Sequence, residues 1–444
     1  MNFPQLESPG GAFPKKKVET SIDSDMERLY SMDLKYYYHT IRAEGIAFIG
    51  ICGYLFFEYV RPQSIYDWLD ILPWVPLCLL TAIMGLLLFE KKKIKTAHPL
   101  NKLMVTYLAV VLLSSVFSQY SSVSFDNLWK FSDWFIIYFL IVKIVNTPKR
   151  FFIFFLSYLI YSLKMSQHGF ISWASRGFGF ASWGVTGAPG WFHNSGEVGI
   201  QMAIYVPLAV AFIMALKGHW NKVWKFIFYF MPFSGTATII ASSSRGALVG
   251  LAASGLMALS KTKYLIRTLV AVSILGSIIW YFVPDESKAR FQSSGEDKTS
   301  LHRMERWRHG WETLNNYPLL GVGHDAWTTF YPRNFTPEEK GSKLVHNIFV
   351  QCGSELGYSG LLVLFLLLFT SFKTNRTVRK QADKYDDKFY YYLSYGMDLG
   401  LVGLLISASF VTVLYYPFLW IHFALTSTMH NSWNVKVKLK NERK

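Results

Sequence analysis

"ILPWVPLCLLTAIMGLLLF", Ile71–Phe89, runs nineteen residues without a charged side chain, and "EKKKIK" follows it at once, residues 90–95. A helix needs roughly 20 mostly apolar residues to cross the hydrocarbon of a bilayer. A helix also satisfies its own backbone polar groups there. The run therefore reads as a membrane span with a basic cluster on its cytoplasmic side. Working outward, further runs of this kind lie near residues 44–60, 100–117, 126–145, 150–165, 197–216, 224–241, 246–260, 264–283, 347–372, 390–411 and 414–430. The expected fold is an all-α integral membrane protein of about twelve transmembrane helices, with one long non-cytoplasmic loop that contains short helices.

Composition agrees with that class. Among the 444 residues, 51% are hydrophobic and 17% aromatic, more than soluble chains of this length usually carry. The net charge of +16 would suit nucleic acid, but its distribution excludes that use. Basic residues recur in alternate short connections: "NTPKR", "KGHWNKVWK", "SKTKYLIR", "FKTNRTVRKQADKYDDK" and the C-terminal "KVKLKNERK". That is the positive-inside pattern for a chain with both termini cytoplasmic. The long loop, 284–345, is balanced, with nine Lys/Arg and nine Asp/Glu. Five segments follow: a cytoplasmic tail at 1–43, spans one to nine at 44–283, the loop at 284–345, spans ten to twelve at 346–430, and a cytoplasmic tail at 431–444. The opening "PQLESPGGAFPKKK" reads as disordered, and no cleavable signal peptide is expected. Cys52, Cys78 and Cys352 fall inside expected spans and make neither a disulfide framework nor a metal site.

Polar residues at unexpected places are the candidates for chemistry. Arg245 in "ASSSRGALVG" stands in a tight connection, where hydroxyls including Ser244, a guanidinium and a helix N-terminus at Gly246 together suit a phosphate; a snorkelling arginine is the alternative. In the long loop, "DKTSLHRMERWRHGWETLNNYP" has an amphipathic pattern through Leu301, Met304, Trp307 or Arg308, and Trp311, broken by "PLLGVG". Its Arg308 has Glu312 at i,i+4, with Arg306 nearby, whereas Arg303 lacks such an acid and is the freest to face a ligand. His346, in "HNIFVQCGSELG", is either an interfacial histidine or a base, since the adjacent Asn347 already suits the helix cap. Glu355 and Asp398 are acids inside expected spans, where a partner or a cavity is the rule. Glu355 lies nine residues beyond His346, half a turn away round a helix, which favours an interhelical role. His193 and Glu197 are at i,i+4, too few ligands for a metal. Tryptophans 173, 183 and 191 suit an interfacial belt. By topology Arg245, the loop helix, His193 and His346 share the non-cytoplasmic face.

Three stretches, "SSSRGALVG", "RMERW…YPLLGVG" and "HNIFVQCGSELGYSGLL", resemble in order and spacing the bacterial O-antigen ligase and polymerase family of lipid-linked glycan transferases. The resemblance covers roughly residues 190–370. It implies a donor, a glycan on undecaprenyl diphosphate, handled at the periplasmic face of the inner membrane, so the long loop would be periplasmic. It implies a catalytic histidine at His346 and donor diphosphate-binding arginines at Arg245 and Arg303, with Ser244, Asn347, Arg306 and His193 as possible support. Neither a metal nor another cofactor is expected. Arg61 in "YVRPQS" also looks like a feature of some members and receives no role. The implied activity is an inverting, metal-independent glycosyl transfer to an acceptor hydroxyl, with lipid A–core as the ligase acceptor. A polymerase joining two lipid-linked units and a protein O-oligosaccharyltransferase share that donor chemistry. A transporter or flippase is the reading from another class.

Overall fold

A computed structural model describes residues 21–90, 96–179, 184–260, 288, 298–336 and 343–442. Its longer elements are helices: α1 Ser21–Tyr30, α2 Leu34–Ala43, α3 Ile46–Tyr59, α4 Trp74–Leu88, α5 Pro99–Val116, α6 Ser121–Asp126, α7 Trp129–Ile144 and α8 Pro148–Ser175. They continue as α9 Ser195–Leu216, α10 Lys222–Ala241, α11 Arg245–Leu259, α12 Lys298–Asn316, α13 Trp327–Phe335, α14 Ile348–Lys384, α15 Lys388–Ala408 and α16 Pro417–Asn441. Cap chemistry sets many of the starts. Thr147, Asn194, Asn221, Ser244, Asn347 and Asp387 each accept a first-turn backbone N–H.

Eleven of the twelve expected spans coincide with these helices, and 264–283 lies outside the described residues. Among the described residues, six helices are long and apolar enough to cross a membrane, or seven if the bent α2–α3 pair is one span. The helices at the other expected places, α7, α8, α11 and α16, are shorter or more polar. Residues 21–43 of the first tail form α1 and α2, and α16 continues to Asn441 through the basic C-terminal segment.

Small residues let the helices approach closely, as packing in lipid requires. A Cβ on Gly50 would sit 2.6 Å from Ala82 N, and one on Gly85 2.4 Å from Ala47 N, so α3 and α4 touch backbone to backbone. Gly396 and Gly403 bring α15 equally close to Ala211 and Ala203 of α9. The apolar window of α9 is 89% buried, which explains a helix hydrophobic all round at the centre of the bundle. The corresponding window of α4 is 11% buried, leaving most of its apolar surface facing outward.

The expected cytoplasmic segments meet at one end of the bundle. Trp220 Nε1 donates to Tyr30 O at 2.9 Å, Lys149 pairs with Asp25 at 2.7 Å, and Lys436 pairs with Asp387 at 2.6 Å. Arg150, almost fully buried, joins Glu44 at 2.7 Å and Glu90 at 2.9 Å. Arg150→Ala strands both carboxylates and is expected to cost about 3–5 kcal/mol. A thermal melt in detergent that matches the parent protein would contradict this.

At the opposite end, α14 is broken. Gly357 has φ +66° and ψ −167° inside the helix, so a short half-helix, 348–356, precedes the long one. The segment "PLLGVG", 318–323, is threaded against that break. Tyr358 N donates to Pro318 O at 2.7 Å, while Val322 N and Gly323 N donate to Ser354 O and Glu355 O at 2.9 and 3.2 Å. Ser114 Oγ of α5 reaches both Leu320 O and Glu355 O at 2.8 Å. These bonds replace the helical ones that the break removes. The crossing is too tight for side chains. A Cβ on Gly321 would lie 2.4 Å from Glu355 C, and one on Gly357 2.5 Å from Leu319 C.

The loop helix, α12, turns most of its apolar stripe away from the bundle. Leu301, Met304 and Trp311 are 51%, 47% and 48% exposed, so the apolar stripe points outward. Inward it presents Trp307, His309, Gly310 and Leu314.

Candidate active site

The site is built on an extended strap, residues 343–347, between α13 and α14. Four of its backbone groups are held, from three directions. Trp327 Nε1 of α13 donates to Lys343 O at 2.9 Å. From α12, Arg306 Nη1 donates to Leu344 O at 3.2 Å and Trp307 Nε1 to Val345 O at 3.0 Å. His346 N donates to Thr412 Oγ1 at 2.7 Å. Asn347 Oδ1 then caps α14 by accepting Phe349 N and Val350 N at 2.9 and 3.1 Å. His346 itself has φ +54°, a left-handed conformation that a non-glycine residue adopts when its surroundings enforce it. Val345 and Ile348 on either side are fully buried anchors. The half-buried imidazole is thereby aimed by its backbone rather than by a rotamer alone.

Electrostatics identify its neighbours. Burial first, then the Arg303 guanidinium, then Arg306, push the His346 imidazole down to about 4 from its usual 6.5. It is neutral at physiological pH, with two arginines close by. Arg303 and Arg306 are half-buried and Arg308 is exposed, so the structure gathers Arg303 and Arg306 with His346.

Arg245 is the first residue of α11. Two of the three serines before it stitch the turn. Ser242 Oγ donates to Ile239 O at 2.7 Å and accepts Ser244 N at 3.3 Å, and Ser244 Oγ caps Ala247 N at 3.4 Å. The Ser244 hydroxyl is thus engaged in the cap. Ser243 takes the left-handed turn position at φ +52°, and its buried Oγ has no hydrogen-bond partner among the described residues.

These parts converge on the connection between α15 and α16, which the sequence did not single out. A Cβ on Gly246 would touch the Phe410 ring at 3.0 Å, and that ring lies 6.2 Å from Trp307 of α12. One on Gly196, at the start of α9, would lie 3.4 Å from Val411. Thr412 holds His346. The neighbourhoods of Arg245, the α12 arginines, His193 and His346 therefore share three consecutive residues, 410–412. The two expected spans there left only residues 412 and 413 between them, and Pro417 was the one visible sign of a turn.

His193 is exposed and precedes α9, whereas Glu197 closes a capping box with Asn194 at 3.0 and 3.1 Å. Glu355 is buried, accepts Tyr415 Oη at 2.8 Å, and lies 3.4 Å from Gln351 Nε2, an interhelical role. Asp398 pairs with Arg379 at 2.7 Å and Asn375 at 2.9 Å, which ties α15 to α14. Trp173 and Trp191 lie at this end, and Trp183 is outside the described residues.

Comparison with known proteins agrees with the motifs. Residues 230–365 match the sequence model of a family described as O-antigen ligase, a stretch that holds Arg245, Arg303, His346 and Gly357. The chain is also 26% identical over 203 residues to the exopolysaccharide production protein ExoQ of Rhizobium meliloti (strain 1021). That alignment covers 41% of this chain and 45% of ExoQ, less than half of the relative's length.

Proposed function

We propose, from the premise of this chain's kinship with the O-antigen ligase and polymerase family, that it transfers a glycan from undecaprenyl diphosphate to an acceptor hydroxyl. The coarse function, ligase- or polymerase-type work on glycans by a multi-pass membrane protein, follows from that kinship and from the apolar helices. The finer reading adds about twelve spans, cytoplasmic termini, a periplasmic loop and a site at the periplasmic face of the inner membrane. The outward apolar stripe of α12 supports it, because such a helix rests on a bilayer surface. The first acceptor considered is lipid A–core; a second lipid-linked unit or a protein hydroxyl uses the same donor chemistry.

One observation carries the mechanism: the pinned strap that holds a neutral His346 beside Arg303 and Arg306. The acceptor oxygen attacks the anomeric carbon and its proton passes to the imidazole. The bond from that carbon to the diphosphate oxygen breaks on the opposite side, with inversion, and the polyprenyl diphosphate leaves. Negative charge grows on that oxygen, where fixed guanidiniums of Arg245 and Arg303 stabilise it in place of a divalent ion. Purified protein given a lipid-linked glycan and each acceptor class in turn, in EDTA, tests this. No product with any acceptor would overturn the reading.

Two results are expected. Arg245→Glu places a negative charge where the diphosphate binds and should raise the donor KM at least tenfold, about 1.4 kcal/mol; unchanged KM and turnover would remove Arg245 from the donor site. The pH profile should differ between kcat/KM and kcat. In the free protein the imidazole stays deprotonated down to about pH 4, so the acid limb of kcat/KM lies there. A bound diphosphate offsets the arginine charge, restores basicity and moves the kcat limb upward. Coincident limbs would argue against a diphosphate at these arginines. The same depressed pKa means that the unfolded chain takes up a proton first. Stability therefore declines as pH falls from about 6.5 towards 4.

A further inference from the structure

The half-helix that starts after Asn347 and ends at the Gly357 break carries two polar side chains that the transfer chemistry leaves unused, Gln351 and Glu355. They stand one turn apart, at i,i+4, and so share a face. Both are buried, at 3% and 2% exposure. That face meets the α15–α16 connection and continues the contact that His346 begins. His346 N donates to Thr412 Oγ1 at 2.7 Å, Leu414 N donates to Gln351 Oε1 at 3.2 Å, and Tyr415 Oη donates to Glu355 Oε2 at 2.8 Å. The connection therefore runs alongside the half-helix in register, with 346, 351 and 355 matched in order by 412, 414 and 415.

The middle rung selects its side chain. Leu414 N can only donate, so it requires an acceptor. On the other side Glu355 Oε2 lies 3.4 Å from Gln351 Nε2 and suits a donor. An uncharged group that accepts at one atom and donates at the next, on a side chain of this length, is the glutamine amide. Leucine offers neither, and glutamate would set a second carboxylate against the first.

The rest of the connection is held independently of this rung. Trp420 Nε1 donates to Leu414 O and Trp134 Nε1 to Tyr415 O, each at 2.8 Å. Val413 and Leu414 are fully buried between them. Those contacts fasten residues 413–415 into the bundle whether or not Gln351 is present. What Gln351 adds is register, because its bond falls two residues beyond the threonine that meets His346.

We infer that Gln351 is a positioning residue for the transfer, setting the register at which Thr412 meets His346 N and thereby the direction of the imidazole. The inference rests on the proposed role of His346 and adds a residue that acts through it. A small misplacement of a reacting group is enough to slow a reaction by one or two orders of magnitude.

The test uses the full chain with Gln351→Leu, which is close in size and removes the rung. Turnover is expected to fall about tenfold or more. The donor KM should stay within about twofold, since Arg245 and Arg303 stand on α11 and α12. Thr412→Val should slow turnover in the same way, and the double variant should be no slower than the slower single one. In a His346→Ala background the Gln351 change should have no further effect on the residual rate. Parent turnover in Gln351→Leu, a raised KM, additive losses, or an equal loss without the histidine would each overturn the inference.

Diethylpyrocarbonate modification of His346, followed by mass spectrometry with the exposed His302 as reference, reads the position of the ring without turnover. Its rate should change severalfold in Gln351→Leu, while the melting temperature falls by no more than ~5 °C. An unchanged rate overturns the inference, and a larger fall in melting temperature assigns Gln351 to stability instead. If the parent protein transfers to no acceptor while the His346 rate shifts as expected, the transfer reading fails and the register role of Gln351 stands.

Discussion

His346→Ala is expected to lower glycan transfer at least ~100-fold, the lower bound for a lost general base, without a matching loss of fold or donor binding. The side chain is half-buried, and among the described residues it makes no hydrogen bond that the strap relies on. The backbone of residue 346 is what bonds to Thr412. Alanine keeps that amide, although it bears the same left-handed strain of φ +54° as the histidine does. Donor affinity should hold or rise slightly, because Arg303 and Arg306 remain. Turnover, melting temperature and donor binding measured on one preparation separate the outcomes. Full turnover removes the histidine from the proton transfer, whereas a collapsed melt would show that the ring is structural.

Gly357→Ala is expected to do the opposite, removing the fold before any chemistry is assayed. The position requires φ +66° with an extended ψ, a combination open essentially to glycine alone. The added methyl would also lie 2.5 Å from the Leu319 carbonyl carbon. Strain and overpacking together put the cost at about 3 kcal/mol or more. Folded yield and melting temperature measure it. An alanine variant that melts like the parent protein would show that "PLLGVG" does not run through the break.

Much of this was legible in the sequence, and the rest was hidden for identifiable reasons. Span positions come from hydropathy, and eleven of them are helices wherever the chain is described. The break at Gly357 was not legible, since one glycine in an apolar stretch leaves the helical pattern intact while its dihedral depends on the segment 318–323 packed against it. The outward direction of the α12 stripe was not legible, because an apolar stripe looks the same whether it meets protein or lipid. Arg303 and His346 were singled out through motif order, but Arg306 acquires its hold on Leu344 O only in three dimensions. The 410–412 connection was invisible, as its work is done largely through backbone proximity, a ring and one hydroxyl.

The Thr412 hydroxyl that holds His346 lies 66 residues further along the chain. During synthesis the histidine therefore emerges well before the residue that holds its amide. A nascent chain inserted only as far as α14 already carries the strap and its bonds to α12 and α13, but lacks the hydroxyl that holds His346 N. The left-handed turn at His346 is consequently completed only once the α15–α16 connection has packed against the strap.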